Sequence, residues 1–294
     1  MAELRFAKMH GAGNDFVMLD AIHQDIRPTP ALICFLADRR FGIGADQVLL
    51  VERSDREDVD FRYRIFNADG GEVEQCGNGA RCFAVFVREA GLTQKRAIRV
   101  ETMKAIIEPQ VQEDGRVTVN MGVPHWDPET LPFIPGGLEV RHEGVSPIYK
   151  APLKDAEIWF STASMGNPHA VIQVCDVDKA PVAQVGSYIE TCAHFPARVN
   201  VGFLEVVSQM QGRLRVWERG AGETLACGTG ACAAAVEGMR RGYFHNEVTL
   251  QARGGELTIQ WDGMRQANAP VFMTGPAQTV FNGVITIPEG LSHD

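Results

Sequence analysis

The alternation of hydrophobic and polar residues predicts that most of the regular structure in this chain is β-strand. Between residues 60 and 67, apolar side chains alternate with two arginines, as in a strand that buries one face. The Gly70-Gly71 pair follows directly and indicates a turn. Further strands are predicted at residues 97–102, 105–111, 117–121, 247–251, 256–261, 271–274 and 278–287.

Two predicted helices are apolar around most of their circumference. One covers residues 79–89, and the other follows Cys227 as a run of alanine, cysteine and valine. Such helices need cover on most sides, and strands are the abundant material for it. The pattern therefore predicts an α/β (α+β) fold, in which a curved, mostly antiparallel or mixed β-sheet or barrel surrounds each central buried helix. A third helix is predicted at residues 30–39, because Pro30 suits a first helical turn.

The second half of the chain repeats the first at a nearly constant offset. Cys76-Gly77 recurs as Cys227-Gly228 after 151 residues, and Gly13-Asn14 recurs as Gly166-Asn167 after 153. The same two offsets pair Gln47 with Asn200 and Asn67 with Glu218. An ordered series with so little drift indicates two duplicated domains, which we expect to be related by a pseudo-twofold axis.

A segment rich in proline and glycine, residues 122–153, separates the two copies. The strand predicted at 278–287 remains after the second copy ends, and we expect it to return to the first domain. The N-terminal domain is therefore predicted to comprise residues 1–122 plus 277–294 and to carry Cys76. The C-terminal domain is predicted at 123–276 with Cys227, and the active site is expected in the cleft between the domains.

The bulk composition argues against several classes of protein. A chain of 294 residues is long enough for two domains of about 150 residues each. Its 28 Lys and Arg against 37 Asp and Glu give a net charge of −9 without a basic run, which argues against nucleic acid as a partner. The sequence contains neither a recognisable secretion signal nor an apolar run that approaches a membrane span, so we expect a cytoplasmic protein without a membrane partner. The oligomeric state is left open, and a homodimer is compatible with the sequence.

Two of the seven cysteines stand in a distinctive context. An odd number without a secretion signal argues against a disulfide framework, and the absence of C-x-x-C and H-E-x-x-H motifs predicts no metal site. Cys76 and Cys227, however, each precede a glycine-rich turn at the start of an apolar helix. The unpaired N–H groups of a helix start can hold a carboxylate, and we expect them to lower a thiol pKa toward neutrality.

Cysteines at equivalent positions of two duplicated domains suit the inversion of a carbon centre. Inversion removes a proton on one face and delivers one on the other, so it needs two acid/base groups, which a thiolate and a thiol provide. Backbone N–H groups of Gly77-Asn78-Gly79 and Gly228-Thr229-Gly230 could hold one carboxylate. The paired amides and Arg219 suit a small zwitterion. His169 is either a structural loop histidine or an aid to thiol ionisation.

Several motifs together resemble those of the diaminopimelate epimerase family, over residues from about Leu4 to Thr286. They are Gly13-Asn14-Asp15-Phe16, Phe66-Asn67-x-Asp69-Gly70, Glu74-x-Cys76-Gly77-Asn78-Gly79-x-Arg81-Cys82, Gly166-Asn167-Pro168-His169, Glu218-Arg219-Gly220-x-Gly222-Glu223-Thr224 and Ala226-Cys227-Gly228-Thr229-Gly230.

The resemblance implies a cofactor-independent isomerase that interconverts LL- and meso-diaminopimelate in lysine and cell-wall precursor synthesis. It implies that Cys76 and Cys227 are the catalytic pair and that His169 and Glu218 assist the thiols. The reacting carboxylate would be held by Gly77, Asn78, Gly228 and Thr229. The rest of the site would be lined by Asn14, Gln47, Asn67, Asn167, Asn200 and Arg219.

Two other interpretations remain open from the sequence. One is a racemase of this fold that acts on another amino acid; the related proline racemases share both cysteines but carry a histidine where this chain has Asn78. The other is a binding module or a thiol redox sensor that uses Cys76 and Cys227. The amide set and Arg219 weigh against a pure sensor.

Overall fold

A computed structural model describes residues 3–73, 77–151, 153 and 157–291, which fall into two compact units. Unit 1 comprises Met1–Val119 together with Gly275–Asp294, and unit 2 comprises Asn120–Thr274. Cys76 lies outside the described residues.

The secondary-structure elements follow in chain order. They are β1 (Glu3–Gly11), β2 (Asn14–Asp20), α1 (Pro30–Ala37), β3 (Gln47–Glu52), β4 (Phe61–Asn67), β5 (Glu72–Val73), α2 (Gly77–Glu89), β6 (Val100–Glu101), β7 (Ile106–Ile107), β8 (Gln110–Val111), β9 (Val117–Asn120), β10 (Val140–Glu143), β11 (Ser146–Lys150), β12 (Trp159–Ser164), β13 (Pro168–Val174), α3 (Val182–Thr191), β14 (Asn200–Ser208), β15 (Gln211–Glu218), β16 (Gly222–Thr224), α4 (Gly228–Arg240), β17 (Glu247–Ala252), β18 (Gly255–Gln260), β19 (Phe272–Gly275) and β20 (Gln278–Thr286).

Each unit is built on one mixed sheet. In unit 1 the strand order is β20-β1-β2-β3-β4-β6-β7, with β5 paired to β4. In unit 2 the order is β10-β11-β12-β13-β14-β15-β17-β18-β19, with β16 paired to β15. Both sheets are open in the part of the chain that the structure describes, so the barrel alternative is wrong. The predicted return of the last strand to the first sheet is confirmed, because β20 pairs with β1 in antiparallel fashion.

The sheet registers confirm the duplication. The parallel pair β2 and β3 places Phe16 opposite Gln47, and the parallel pair β13 and β14 places His169 opposite Asn200. Both residues of the second pair lie 153 positions after those of the first. The antiparallel pairs β3–β4 and β14–β15 also correspond, since Val48 opposes Phe66 and Val201 opposes Trp217. The offsets read from the sequence are therefore the offsets of structurally equivalent strand positions.

Helices cover both faces of the unit 1 sheet, which explains why its central strands are continuously apolar. Leu32, Ile33 and Leu36 of α1 pack with Val48 and Leu50 of β3 in one hydrophobic cluster. Helix α2 packs against β1, β2 and β3. Strand β3 therefore buries four successive residues, as strands do when both sheet faces are covered.

The residues at the start of α1 explain why the helix begins at Pro30. Thr29 caps α1, because its hydroxyl accepts a hydrogen bond from the Leu32 backbone N–H at 3.2 Å, and Pro30 occupies the first turn.

In α4 the small residues allow close packing: a Cβ added to Gly238 would lie 2.4 Å from the Phe244 ring. This close approach lets α4 be buried on nearly every side.

Some predicted elements differ from the structure. The strands predicted at 97–102 and 105–111 are reduced to the two-residue strands β6, β7 and β8. The helix predicted at 79–89 begins two residues earlier, at Gly77, and the one predicted at 30–39 ends at Ala37. Helix α3 was not predicted, although it stands in the second repeat where α1 stands in the first.

Candidate active site

In unit 1, polar side chains gather at one end of the sheet. A two-residue turn, Ala12-Gly13, has positive φ at both positions and joins β1 to β2, so that Asn14 begins β2. Gln47 begins β3 and donates a hydrogen bond through Nε2 to Oδ1 of Asn67 at 2.9 Å. The buried Oε1 of Gln47 has no partner among the described residues. A buried acceptor without a donor is costly, so this atom suits a ligand that brings an N–H group.

The first turn of α2 lies beside these residues. Asn78 is buried and donates through Nδ2 to Oδ1 of Asn14 at 3.4 Å. Its Oδ1 accepts a hydrogen bond from Nη2 of Arg81 at 2.9 Å, and Arg81 is fully buried. Thus Asn14, Gln47, Asn67, Gly77 and Asn78 all belong to one end of unit 1. The predicted catalytic residue Cys76 directly precedes this turn in the chain but lies outside the described residues.

In unit 2, Cys227 is the N-cap residue of α4 and is buried. Its Sγ lies 3.5 Å from Oγ1 of Thr229 in the first helical turn. Burial raises the pKa of the Cys227 thiol well above its usual range, and the negative charge of Glu218 raises it further. These effects outweigh hydrogen bonds from Thr229 and the Gly230 backbone, which lower it. The expectation that the helix start lowers this pKa is therefore wrong, and Cys227 is a protonated thiol.

Two hydrogen bonds connect His169 to the first turn of α4. Its Nε2 lies 3.0 Å from Oδ1 of Asn167, and Nδ2 of Asn167 donates to Oγ1 of Thr229 at 3.3 Å. Burial lowers the pKa of His169 to about 3, with a smaller contribution from the positive charge of Arg219. The ring is therefore neutral at physiological pH and donates its Nε2 proton to Asn167. The hydrogen bonds run from His169 through Asn167 to Thr229, which faces the sulfur.

The depressed pKa of His169 predicts that protein stability depends on this ring in acid. The unfolded chain binds a proton at His169 below about pH 6.5, whereas the folded chain does so only near pH 3. The contribution of His169 to the free energy of unfolding is thus fully present above about pH 6.5 and is lost as the pH falls toward 3. We expect His169→Gln to remove this pH dependence. Between pH 7 and pH 4.5, the free energy of unfolding of the parent should then fall by about 2–3 kcal/mol more than that of the variant. Urea unfolding of both proteins at the two pH values measures it, and equal losses would contradict the assignment.

Asn200, Glu218 and Arg219 complete the unit 2 cluster. Asn200 accepts a hydrogen bond through Oδ1 from the Arg219 backbone N–H at 2.9 Å and donates through Nδ2 to the Pro168 carbonyl at 3.3 Å. Glu218 accepts a hydrogen bond from the Thr224 hydroxyl at 2.6 Å. The exposed guanidinium of Arg219 donates to the Ala197 carbonyl at 3.0 Å, and no ion pair joins it to a carboxylate within the described ranges. Arg219 is thus positioned by backbone contacts and remains suited to binding an external carboxylate.

A buried carboxylate that sequence reasoning missed holds the ends of this segment. Glu190 of α3 accepts a hydrogen bond from the Trp217 indole at 2.6 Å and one from the Gly220 backbone N–H at 2.9 Å. Trp217 and Gly220 flank Glu218 and Arg219 in the chain. No local pattern indicates Glu190, because its two partners lie 27 and 30 residues further along.

The described parts of the chain hold no group of three or more His, Cys, Asp and Glu side chains placed to bind a metal ion. Of the helices in these ranges, none combines the length and the apolar character that crossing a bilayer requires.

Comparison with known sequences identifies similar proteins over almost the full length. The family profile described as Diaminopimelate epimerase matches residues 6–126 and 161–280. The diaminopimelate epimerase of Herminiimonas arsenicoxydans is 56% identical over 285 residues, which cover 97% of this chain and 100% of that protein. The diaminopimelate epimerase of Paraburkholderia xenovorans is 55% identical over 287 residues, with 98% and 100% coverage.

Solved structures share the fold at much lower identity. A phenazine biosynthesis protein of the PhzF family from Bacillus anthracis has a TM-score of 0.69 at 16% identity, over 98% of this chain and 100% of that chain. A hydroxyproline epimerase from Agrobacterium vitis has a TM-score of 0.65 at 15% identity, over 98% and 94%. These two likenesses concern the fold alone.

Proposed function

We infer the function from the family: the chain belongs to the diaminopimelate epimerases, and it is an isomerase that interconverts LL- and meso-diaminopimelate. The observation in the structure that supports this best is the setting of Cys227. A buried thiol lies at the N-cap position of α4, and a hydroxyl, a carboxylate and an amide network surround it within one unit. This is the setting of a proton donor rather than of a packing residue.

We propose that inversion uses two bases, a thiolate at Cys76 and the thiol of Cys227. The raised pKa of Cys227 supports this division, because a group that holds its proton serves as the donor in the first half of a turnover. Cys76 takes the complementary role as the acceptor. In the reverse direction the two exchange roles, and Thr229 then donates its hydroxyl proton toward the sulfur of the Cys227 thiolate. His169 assists by orienting Asn167 and Thr229, and Glu218 by holding the proton on Cys227.

The substrate contacts follow from the chemistry of the remaining residues. Backbone N–H groups of Gly77, Asn78, Gly228 and Thr229 hold the reacting carboxylate at the two helix starts. The unpartnered Oε1 of Gln47 accepts from an ammonium group of the substrate, next to Asn67. Arg219 binds the carboxylate at the other end of diaminopimelate. Asn14, Asn167 and Asn200 complete the polar lining.

We further propose the domain assignment 1–122 plus 277–294 and 123–276, a cytoplasmic location and independence from cofactors. The free state of the described cysteines supports a reducing compartment. The chemistry itself requires no electron sink if two thiols flank the reacting carbon. A homodimer stays a prediction, which sedimentation velocity tests directly.

The test follows exchange of the substrate α-proton in deuterated solvent containing a metal chelator. We expect deuterium to enter at the α-carbon of both LL- and meso-diaminopimelate, with conversion to the other epimer. Lysine and proline serve as controls, because lysine lacks the second carboxylate and proline lacks a primary amine. Exchange with proline but not with diaminopimelate would instead identify a racemase of the same fold. Loss of exchange in the chelator would contradict cofactor independence.

A further inference from the structure

The amides of Asn78 and Asn14 form a hydrogen-bonded chain between two charged residues. Arg81 Nη2 donates to Asn78 Oδ1 at 2.9 Å, Asn78 Nδ2 donates to Asn14 Oδ1 at 3.4 Å, and Asn14 Nδ2 donates to Asp46 Oδ2 at 2.9 Å. A guanidinium can only donate and an ionised carboxylate can only accept. The two ends therefore dictate which way both amides point.

Both ends of this chain are firmly held. Arg81 is fully buried, and its Nε donates to the Pro276 carbonyl at 3.1 Å. Asp46 accepts from Arg39 Nη2 at 2.8 Å and from the Asp15 backbone N–H at 3.2 Å. Arg39 in turn makes a two-pronged contact with the Asp15 carboxylate, at 2.9 and 2.8 Å. Neither charged end can turn away without losing other hydrogen bonds.

The second repeat lacks both charges. At the corresponding offsets, Val199 stands in place of Asp46 and Cys232 in place of Arg81. The equivalent bond in unit 2 has the opposite direction, because Asn167 donates to Thr229, whereas in unit 1 Asn78 donates to Asn14. The charged ends therefore belong to unit 1 alone, and they accompany a reversal of the hydrogen-bond direction.

We propose that Asp46 and Arg81 are positioning residues that fix the direction of the Asn78–Asn14 amide pair and so decide which amide atoms meet the substrate. The role of the two amides in substrate binding rests on the proposed function. Asp46 touches Asn14 and acts through it, so its effect must disappear when the Asn14 side chain is absent.

The test uses Asp46→Ala with Asp58→Ala as a matched control. The two aspartates are equally exposed, at 46% and 47% of the side chain, and both pair with arginine. Asp58 bonds to Arg56 and makes no hydrogen bond to the amide chain among the described residues. Because Asp46→Ala removes a hydrogen bond to a charged group, we expect it to lower kcat/KM by about 10-fold, mainly by raising KM. Asp58→Ala should leave kcat/KM within about 2-fold of the parent.

A double-mutant cycle with Asn14→Ala separates positioning from general destabilisation. We expect Asp46→Ala to reduce kcat/KM by less than about 2-fold in the Asn14→Ala background. A full further reduction of about 10-fold there would overturn the proposal, as would parental kinetics for Asp46→Ala itself. The parent is measured first on diaminopimelate. Absence of turnover in the parent overturns the proposed function, whereas additive losses in an active enzyme overturn only the role of Asp46.

Discussion

Replacement of either Cys76 or Cys227 by alanine is expected to abolish epimerisation. Each thiol serves as the proton acceptor in one direction and as the donor in the other, so inversion fails when either is missing. General acid–base catalysis by one group contributes about 10²–10⁴-fold, and the loss of an obligatory partner should reach the upper end of that range or exceed it. The conversion of LL- to meso-diaminopimelate and its reverse measure the effect.

The chain offers matched controls for both substitutions. Cys82 and Cys232 are fully buried, and they lie in α2 and α4, the helices that follow Cys76 and Cys227 in the chain. Cys82→Ala and Cys232→Ala test whether loss of a buried sulfur alone reduces turnover. We expect both controls to retain epimerisation, since neither is assigned to the site.

Serine variants distinguish two-base from one-base chemistry. Cys76→Ser and Cys227→Ser leave an intact thiol on one side, which can still abstract a proton slowly from one epimer. The two variants should therefore favour α-deuterium exchange from opposite epimers. A one-base mechanism predicts instead that one cysteine is dispensable. Near-parental epimerisation by either alanine variant would refute the argument from the duplicated cysteines.

The duplication was the feature best predicted from the sequence, because it is recorded locally in residue types and spacing. The offsets of 153 and 151 residues reappear as strand registers, with Phe16 opposite Gln47 and His169 opposite Asn200. Helix α3 also follows the repeat, although it was not predicted. Its segment places Val182, Val185 and Ile189 on one buried helical face, and its position in the repeat corresponds to that of α1.

The protonation state of Cys227 could not be predicted in the same way. A helix start lowers a thiol pKa by a local effect that the sequence reveals. Burial and the charge of Glu218 act in the opposite direction and depend on tertiary packing. The pKa of His169 has the same origin, since burial dominates it. For Cys227 the local effect of the helix start is real, but desolvation outweighs it.

Asp46, Arg81 and Glu190 were missed for a related reason. Each contacts residues that are distant in the chain: Asp46 contacts Asn14 across 32 positions, Glu190 contacts Trp217 across 27, and Arg81 contacts Pro276 across 195. Arg81 belonged to a recognised motif, yet its function depends on being buried beside Asn78. Sequence patterns identified the polar groups proposed to face the substrate, whereas the residues that contact and orient those groups required the fold.

Substrate selection should depend most strongly on Arg219. Its backbone N–H donates a hydrogen bond to Asn200, and its Nη1 donates one to the Ala197 carbonyl. The other N–H groups of the exposed guanidinium can therefore donate to a substrate carboxylate. A planar fork suits bidentate binding of a carboxylate, and diaminopimelate has a second carboxylate that lysine lacks. Arg213, in the same strand region, provides a control, because it already pairs with Asp178 and Glu205.

We expect Arg219→Ala to cost about 2–5 kcal/mol of transition-state stabilisation with diaminopimelate, as for truncation of one partner of a desolvated charge pair. Exchange of the α-proton of lysine should change much less, because lysine never used this contact. The ratio of kcat/KM for diaminopimelate to that for lysine should therefore fall by about 30-fold or more in Arg219→Ala. It should stay near the parental ratio in Arg213→Ala. An Arg219→Ala enzyme that keeps the parental ratio would show that the distal carboxylate is bound elsewhere and would contradict this role of Arg219.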